Sequence, residues 1–197
     1  QTTDRGATGT GGSLSESDTI AIVVGSGHIA PVLTNGITGT IFENGSGLAP
    51  FFTTGTVSDP DSVDFDGGTL TFSVASGGDG SEGLSLAAFA GVTTSGSDVF
   101  VSGVQVGTYT GGAGGTPLVV TFDADATLSR VESVYKALAI HVASEDPTPG
   151  LRSLEVVLTD GDGGTSNIAT ASTTFTAVND APIITSNGGG DTANVNV

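Results

Sequence analysis

Alternation with a period of two, cut at short intervals by glycine, limits what this chain can fold into more than any other feature. Thr69-Leu70-Thr71-Phe72-Ser73-Val74 puts Leu70, Phe72 and Val74 on one face and hydroxyls on the other, the pattern of a half-buried strand. Residues 99–101, 104–109, 118–122, 151–158 and 168–178 follow with strand character, separated by glycine-rich turns. Short strands at such spacing predict an all-β sandwich. Residues 77–83 and 111–115 are too glycine-rich for a core and are expected as exposed loops. One stretch has another period. In residues 126–138, Leu128, Val131, Val134, Tyr135 and Leu138 fall at helical intervals, with Asp125 placed as N-cap. A single short helix against the sandwich edge is expected there.

The two ends of the chain echo each other. Thr3-Asp4, a glycine-rich turn, a strand-like stretch at 19–24 and Ala30-Pro31-Val32-Leu33-Thr34 form one series. Thr159-Asp160, a glycine-rich turn, a strand-like stretch at 169–178 and Ala181-Pro182-Ile183-Ile184-Thr185 form the other. Matched order over several elements is the mark of an internal repeat. Residues 1–30 then read as the final strands and linker of one module, 31–182 as a complete module, and 183–197 as the opening strand of the next. The seam Val178-Asn179-Asp180-Ala181-Pro182 is stiff, because proline fixes its own φ and holds Ala181 extended. Asn179 and Asp180 place oxygen donors at that seam, where a hard cation can lock two modules together.

Charge and composition narrow the class. The chain carries 21 Asp plus Glu against four Lys plus Arg, a net charge of −17. Nucleic-acid binding is not expected, since it needs clustered Lys and Arg. A chain this acidic repels itself, and divalent cations relieve that repulsion. There is no Cys, so stability has to come from the core or from metal. No apolar run approaches membrane-spanning length, and no signal-peptide pattern is expected within these 197 residues. With no Met anywhere, the chain is expected to be an internal piece or processed product of something longer. An extracellular or cell-surface β protein fits this composition.

The acidic motifs have two readings each. Asp59-Pro60-Asp61, with Asp64 and Asp66 close behind, gathers four carboxylates in one loop. Calcium takes six to eight oxygens and would relieve their repulsion; a solvated acidic turn needs only the Asp, Pro and Ser. Asp160-Gly161-Asp162-Gly163-Gly164 lacks the downstream Glu of an EF-hand and is followed by a strand-like stretch. It predicts a hairpin turn, with Asp160 within reach of a junction ion. Asp123-Ala124-Asp125 reads as a helix cap and Glu145-Asp146-Pro147 as a solvated loop. Catalytic patterns are lacking: no Gly-X-Ser-X-Gly, no His-Glu-X-X-His and no phosphate loop with Lys. A carboxylate pair for glycoside hydrolysis is available among the acids, but with no Trp and two Tyr a sugar platform is poorly supplied. An enzyme is not expected.

Phe42-Glu43-Asn44, Val57-Ser-Asp-Pro-Asp-Ser62, Gly67-Gly-Thr-Leu-Thr-Phe72, Thr159-Asp-Gly-Asp-Gly-Gly164 and Val178-Asn-Asp-Ala-Pro182 together resemble the bacterial cadherin-like repeats of large secreted surface proteins and adhesins. The resemblance covers residues 31–182. It implies a Greek-key cadherin/immunoglobulin-like β-sandwich in a tandem array, secretion, and calcium at the junctions. By position it implies Glu43, Asp59 with Asp61, and Asn179 with Asp180 as calcium ligands. Two departures stand out: residues 77–140 are longer than the family's pattern, and the first linker has His28 and Ile29 where the second has Asn179 and Asp180. The expectation is a calcium-stabilised extracellular structural or adhesive repeat that stacks into a rod or fibre. Its partners would be neighbouring copies and a cell-surface or matrix ligand. A self-assembling filament subunit joined by strand addition, and a glycan- or receptor-binding module, are the alternatives; an exposed aromatic near Tyr109 or Phe100 would favour the last.

Overall fold

A computed structural model describes residues 27–42, 48–142, 144 and 146–179. Its elements in chain order are β1 (Val32–Leu33), β2 (Thr38–Phe42), β3 (Ala49–Pro50), β4 (Val57–Ser58), β5 (Thr69–Ser76), β6 (Glu82–Leu86), β7 (Val92–Ser95), β8 (Asp98–Val101), β9 (Val104–Gly111), β10 (Leu118–Phe122), α1 (Leu128–Ala137), β11 (Leu138–Val142), β12 (Gly150–Leu158) and β13 (Ala169–Thr176). The period-two segments form strands because only that spacing gives a sheet one apolar face. In β13, Ala169, Ala171, Thr173 and Phe175 are buried while the residues between them face outward. In β12 the inward set is Arg152, Leu154, Val156 and Leu158.

Eight strands join in one sheet, in the order β2-β13-β12-β5-β10-β9-β8-β7. The β2–β13 ladder is parallel, and the other ladders among the described residues are antiparallel. Opposite it lie the three-stranded sheet β3-β11-β6, the short β1–β4 pair and α1. One apolar core fills the space between, with Phe72, Leu118, Val120 and Val156 of the large sheet in a single cluster with Leu84, Val131, Leu138 and Ile140. Phe52 sits at its centre, edge-on to Phe72 at 6.0 Å between ring centroids and tilted against Tyr135 at 4.9 Å. The Tyr135 hydroxyl donates to the Thr34 carbonyl, which satisfies a buried polar group, and burial pushes the phenol well above its ordinary range.

Residues 87–137 depart most from simple alternation between layers. After β6 the chain crosses to the large sheet and adds β7, β8, β9 and β10 to it before α1 returns to the second layer. The β8–β9 connection is two residues long, with Ser102 at φ 51° and Gly103 at φ 82°. That is the left-handed pair a tight, right-twisted hairpin demands.

Two local expectations change. The helix spans Leu128–Ala137 and Thr127, not Asp125, occupies the N-cap position, without a side-chain cap bond. Asp123 instead accepts the Asp125 N–H at 2.9 Å, closing a turn ahead of the helix. As expected, α1 packs beside β4 and the strands β7 and β8 at one edge of the large sheet, and it buries Val131, Val134, Tyr135 and Ala137 in the shared core. Within the loop expected at 77–83, Ser81, Glu82 and Gly83 are buried and the last two belong to β6, because Glu82 has an ionic partner on β12. Of the expected flanking modules, residues 1–26 and 183–197 lie outside the described residues. Among the described residues no helix is long and apolar enough to cross a membrane.

Candidate metal centre

Three acidic loops distant in sequence meet at one end of the molecule. The 59–68 loop precedes β5, the 123–127 loop follows β10, and the 159–165 turn follows β12. The ladders fix this, since Leu158 pairs with Leu70 and Thr121 with Thr69. Cross-links complete it: Phe65 N–H donates to the Ala126 carbonyl at 3.1 Å and Thr69 N–H to Thr159 Oγ1 at 2.8 Å. The segment ahead of β1 joins the same end, where Ile29 N–H donates to Asp61 Oδ2 at 2.9 Å.

Asp160 is 1% exposed. Its Oδ1 accepts three backbone N–H groups, from Asp162 at 2.8 Å, Gly163 at 3.0 Å and Gly164 at 2.9 Å. The predicted hairpin is closed by the Thr159–Thr165 bridge. Its Oδ2 is buried and has no hydrogen-bond partner among the described residues. Gly164 is required here, because a Cβ would collide with Asp160 Oδ2 and press on the Cα of Ala30.

Asp59 repeats the arrangement on the neighbouring loop. It is 7% exposed, its Oδ1 accepts the N–H groups of Asp61 and Ser62 at 3.3 Å each, and its Oδ2 is buried without a partner. Both carboxylates border the same short segment. Ala30 lies against the Asp160 turn, and residues 29–30 share a groove of about 450 Å³ with Val57, Asp59, Pro60 and Leu128. A buried, half-satisfied carboxylate is costly unless a cation or donor completes it. Two of them bordering one segment have the donor chemistry of a hard-cation site.

The other expected ligands distribute differently. Asp61 is exposed; the Ile29 N–H bond chiefly holds its carboxyl below the ordinary aspartate range. Asp64 is half-buried, with Oδ1 accepting the Asp66 N–H at 3.1 Å, and Asp66 is exposed. Asn179 is exposed beyond the far end of β13, roughly 25 Å along that strand from the Asp160 turn. It belongs to the opposite end of the same molecule. Glu43 and Asp180 lie outside the described residues, although Phe42, just before Glu43, is in register with Thr176, near Asn179. The expected set is thus divided between two ends. Among the described residues no group of three or more His, Asp or Glu side chains is gathered to hold an ion, so carboxylates here need backbone, water or a second module to complete a shell.

A second polar centre was not anticipated. At the end opposite Asp160, the buried Arg152 donates from Nε to Glu82 Oε1 at 2.8 Å and from its terminal nitrogens to the Thr148 and Gly150 carbonyls. Its guanidinium lies 3.3 Å from Asp79 and 4.6 Å from the Phe175 ring centroid. Asp79, held by hydrogen bonds from Ser81 and Thr148, has its carboxyl far below the usual range. The signal was present: Arg152 stands in phase with Leu154, Val156 and Leu158, so alternation alone places a charge on the core face. In the region considered for ligand gripping, Tyr109 packs against the core and Phe100 is half-buried.

No family model matches the chain, and no curated protein or solved structure matches it.

Proposed function

We propose that this chain is a calcium-stabilised, extracellular structural or adhesive module of cadherin/immunoglobulin-like type that stacks end to end, without turnover. The observation that carries the reading is the pair of buried oxygens, Asp59 Oδ2 and Asp160 Oδ2, unpartnered among the described residues, whose loops both border residues 29–30. Calcium bound there would tie the incoming linker to the module. Asp61 keeps the linker backbone in place, and Asn179 with Asp180 and Glu43 would serve the junction at the other end. The parallel pairing of β2 with β13, the first and last long strands among the described residues, supports the immunoglobulin-like part of the reading, as does the two-layer core.

The test is thermal unfolding in calcium and in excess chelator. A ligand that binds only the folded state stabilises it by about 2.7 kcal/mol at a hundredfold excess over its dissociation constant. Calcium should therefore raise the melting temperature by several degrees, and Asp59→Asn should abolish the response. An unchanged melting temperature in chelator refutes the metal reading.

A further inference from the structure

We propose that the outer face of the eight-stranded sheet is a side-by-side contact between two copies of this chain, separate from the end-to-end junction. The outward positions carry hydroxyls across the whole sheet, among them Thr40, Thr71, Thr108, Thr121, Ser153 and Thr174, with Leu151 62% exposed beside them. Glu155 and Asp98 are the charged residues with outward register on these strands, and no Lys or Arg is among them. The remaining described acids lie elsewhere. Residues 59–66, 123–125 and 160–162 hold those of one end, Asp79, Glu82 and Asp146 lie toward the other, and Glu132 is on α1.

Charge makes a second copy the occupant. Two molecules of net charge −17 repel each other through their acidic ends. The broad sheet face is where they can approach with little like-charge repulsion, and its hydroxyls can donate to and accept from an identical partner without carrying charge. Its size is adequate. Eight strands about 4.8 Å apart and four to nine residues long at ~3.3 Å per residue span roughly 800 Å², near the ~800 Å² per partner of a stable interface. Such a contact needs no calcium. It should tighten with added salt, which screens the residual repulsion, with a Debye length of about 3 Å at 1 M.

Sedimentation velocity of the full chain in excess chelator, at up to about 1 mM, the range of a weak complex, tests this directly. The expected result is reversible association that strengthens with sodium chloride and is lost in Thr121→Glu/Thr174→Glu. The uncharged Thr121→Val/Thr174→Val should retain it, and both variants should melt near the wild-type temperature. A wild type that stays monomeric at high salt overturns the proposal, as does association unaltered in the Glu variant. A monomer whose melting temperature falls in the Glu variant overturns it too, because the face would then be covered by the chain's own remaining residues. Calcium-dependent melting is unaffected by any of these outcomes, so the two readings fail separately.

Discussion

Asp160 carries two oxygens in opposite circumstances. Oδ1 accepts three N–H groups and shapes the hairpin; Oδ2 is buried with no partner among the described residues. Replacing the acid by Asn keeps an oxygen for the hairpin and removes the buried charge, so the effect should depend on metal. In chelator, Asp160→Asn should melt at or above the wild-type temperature, since an uncompensated buried charge is destabilising. In saturating calcium it should melt below wild type. Two melting series whose order reverses between the conditions would identify Asp160 as a ligand; a variant equally destabilised in both would mark the residue as structural.

At the scale of elements, β6 and β12 are joined by an ion pair where most sandwiches place apolar side chains. Glu82 and Arg152 are both almost wholly inaccessible, and Glu82 also accepts the N–H groups of Asp79 and Gly80. Losing one member leaves a buried charge alone, so Glu82→Leu should cost about 3–5 kcal/mol. The double variant Glu82→Leu/Arg152→Met should recover most of that, because an apolar pair of similar volume often replaces a buried ion pair with little loss. Urea unfolding of the four proteins in a double-mutant cycle gives the coupling; additive losses would show that the pair is not the link between the layers.

For the molecule as a whole, acid should act through both metal-dependent and metal-independent carboxylates. Asp61 and Asp79 are held below their ordinary value of 3.8 by hydrogen bonds that exist only in the fold. A depressed folded pKa contributes stability that is fully present above the unfolded value and is lost as pH falls through the folded one. Chelated protein should therefore keep its stability from these groups down to about pH 4 and lose it below. Calcium-loaded protein should begin to lose stability in the same range but lose more in total, as protonation of the ligands releases the ion. Coincident acid-unfolding profiles with and without calcium would remove the metal from the account.

The sequence by itself determined the strands and the one helix wherever periodicity was long and clean. Residues 118–122 became β10 as expected, and the Leu128 to Leu138 spacing became α1, because those patterns depend only on which side of an element faces the core. It also held the acidic turns of the candidate cation site, since an Asp followed by turn residues forms its own local hydrogen bonds whatever surrounds it. Short strands such as β3 and β4 gave no usable period; their partners, β11 and β1, lie elsewhere along the chain and create them. The tertiary structure alone decided that the 59–66, 123–125 and 160–162 loops share one end while Asn179 lies at the other. It also decided that Asp59 and Asp160 each bury an unpartnered oxygen, and that Glu82 meets Arg152. Strand order and register set those distances, and both arise from packing between residues dozens of positions apart, which no local pattern records.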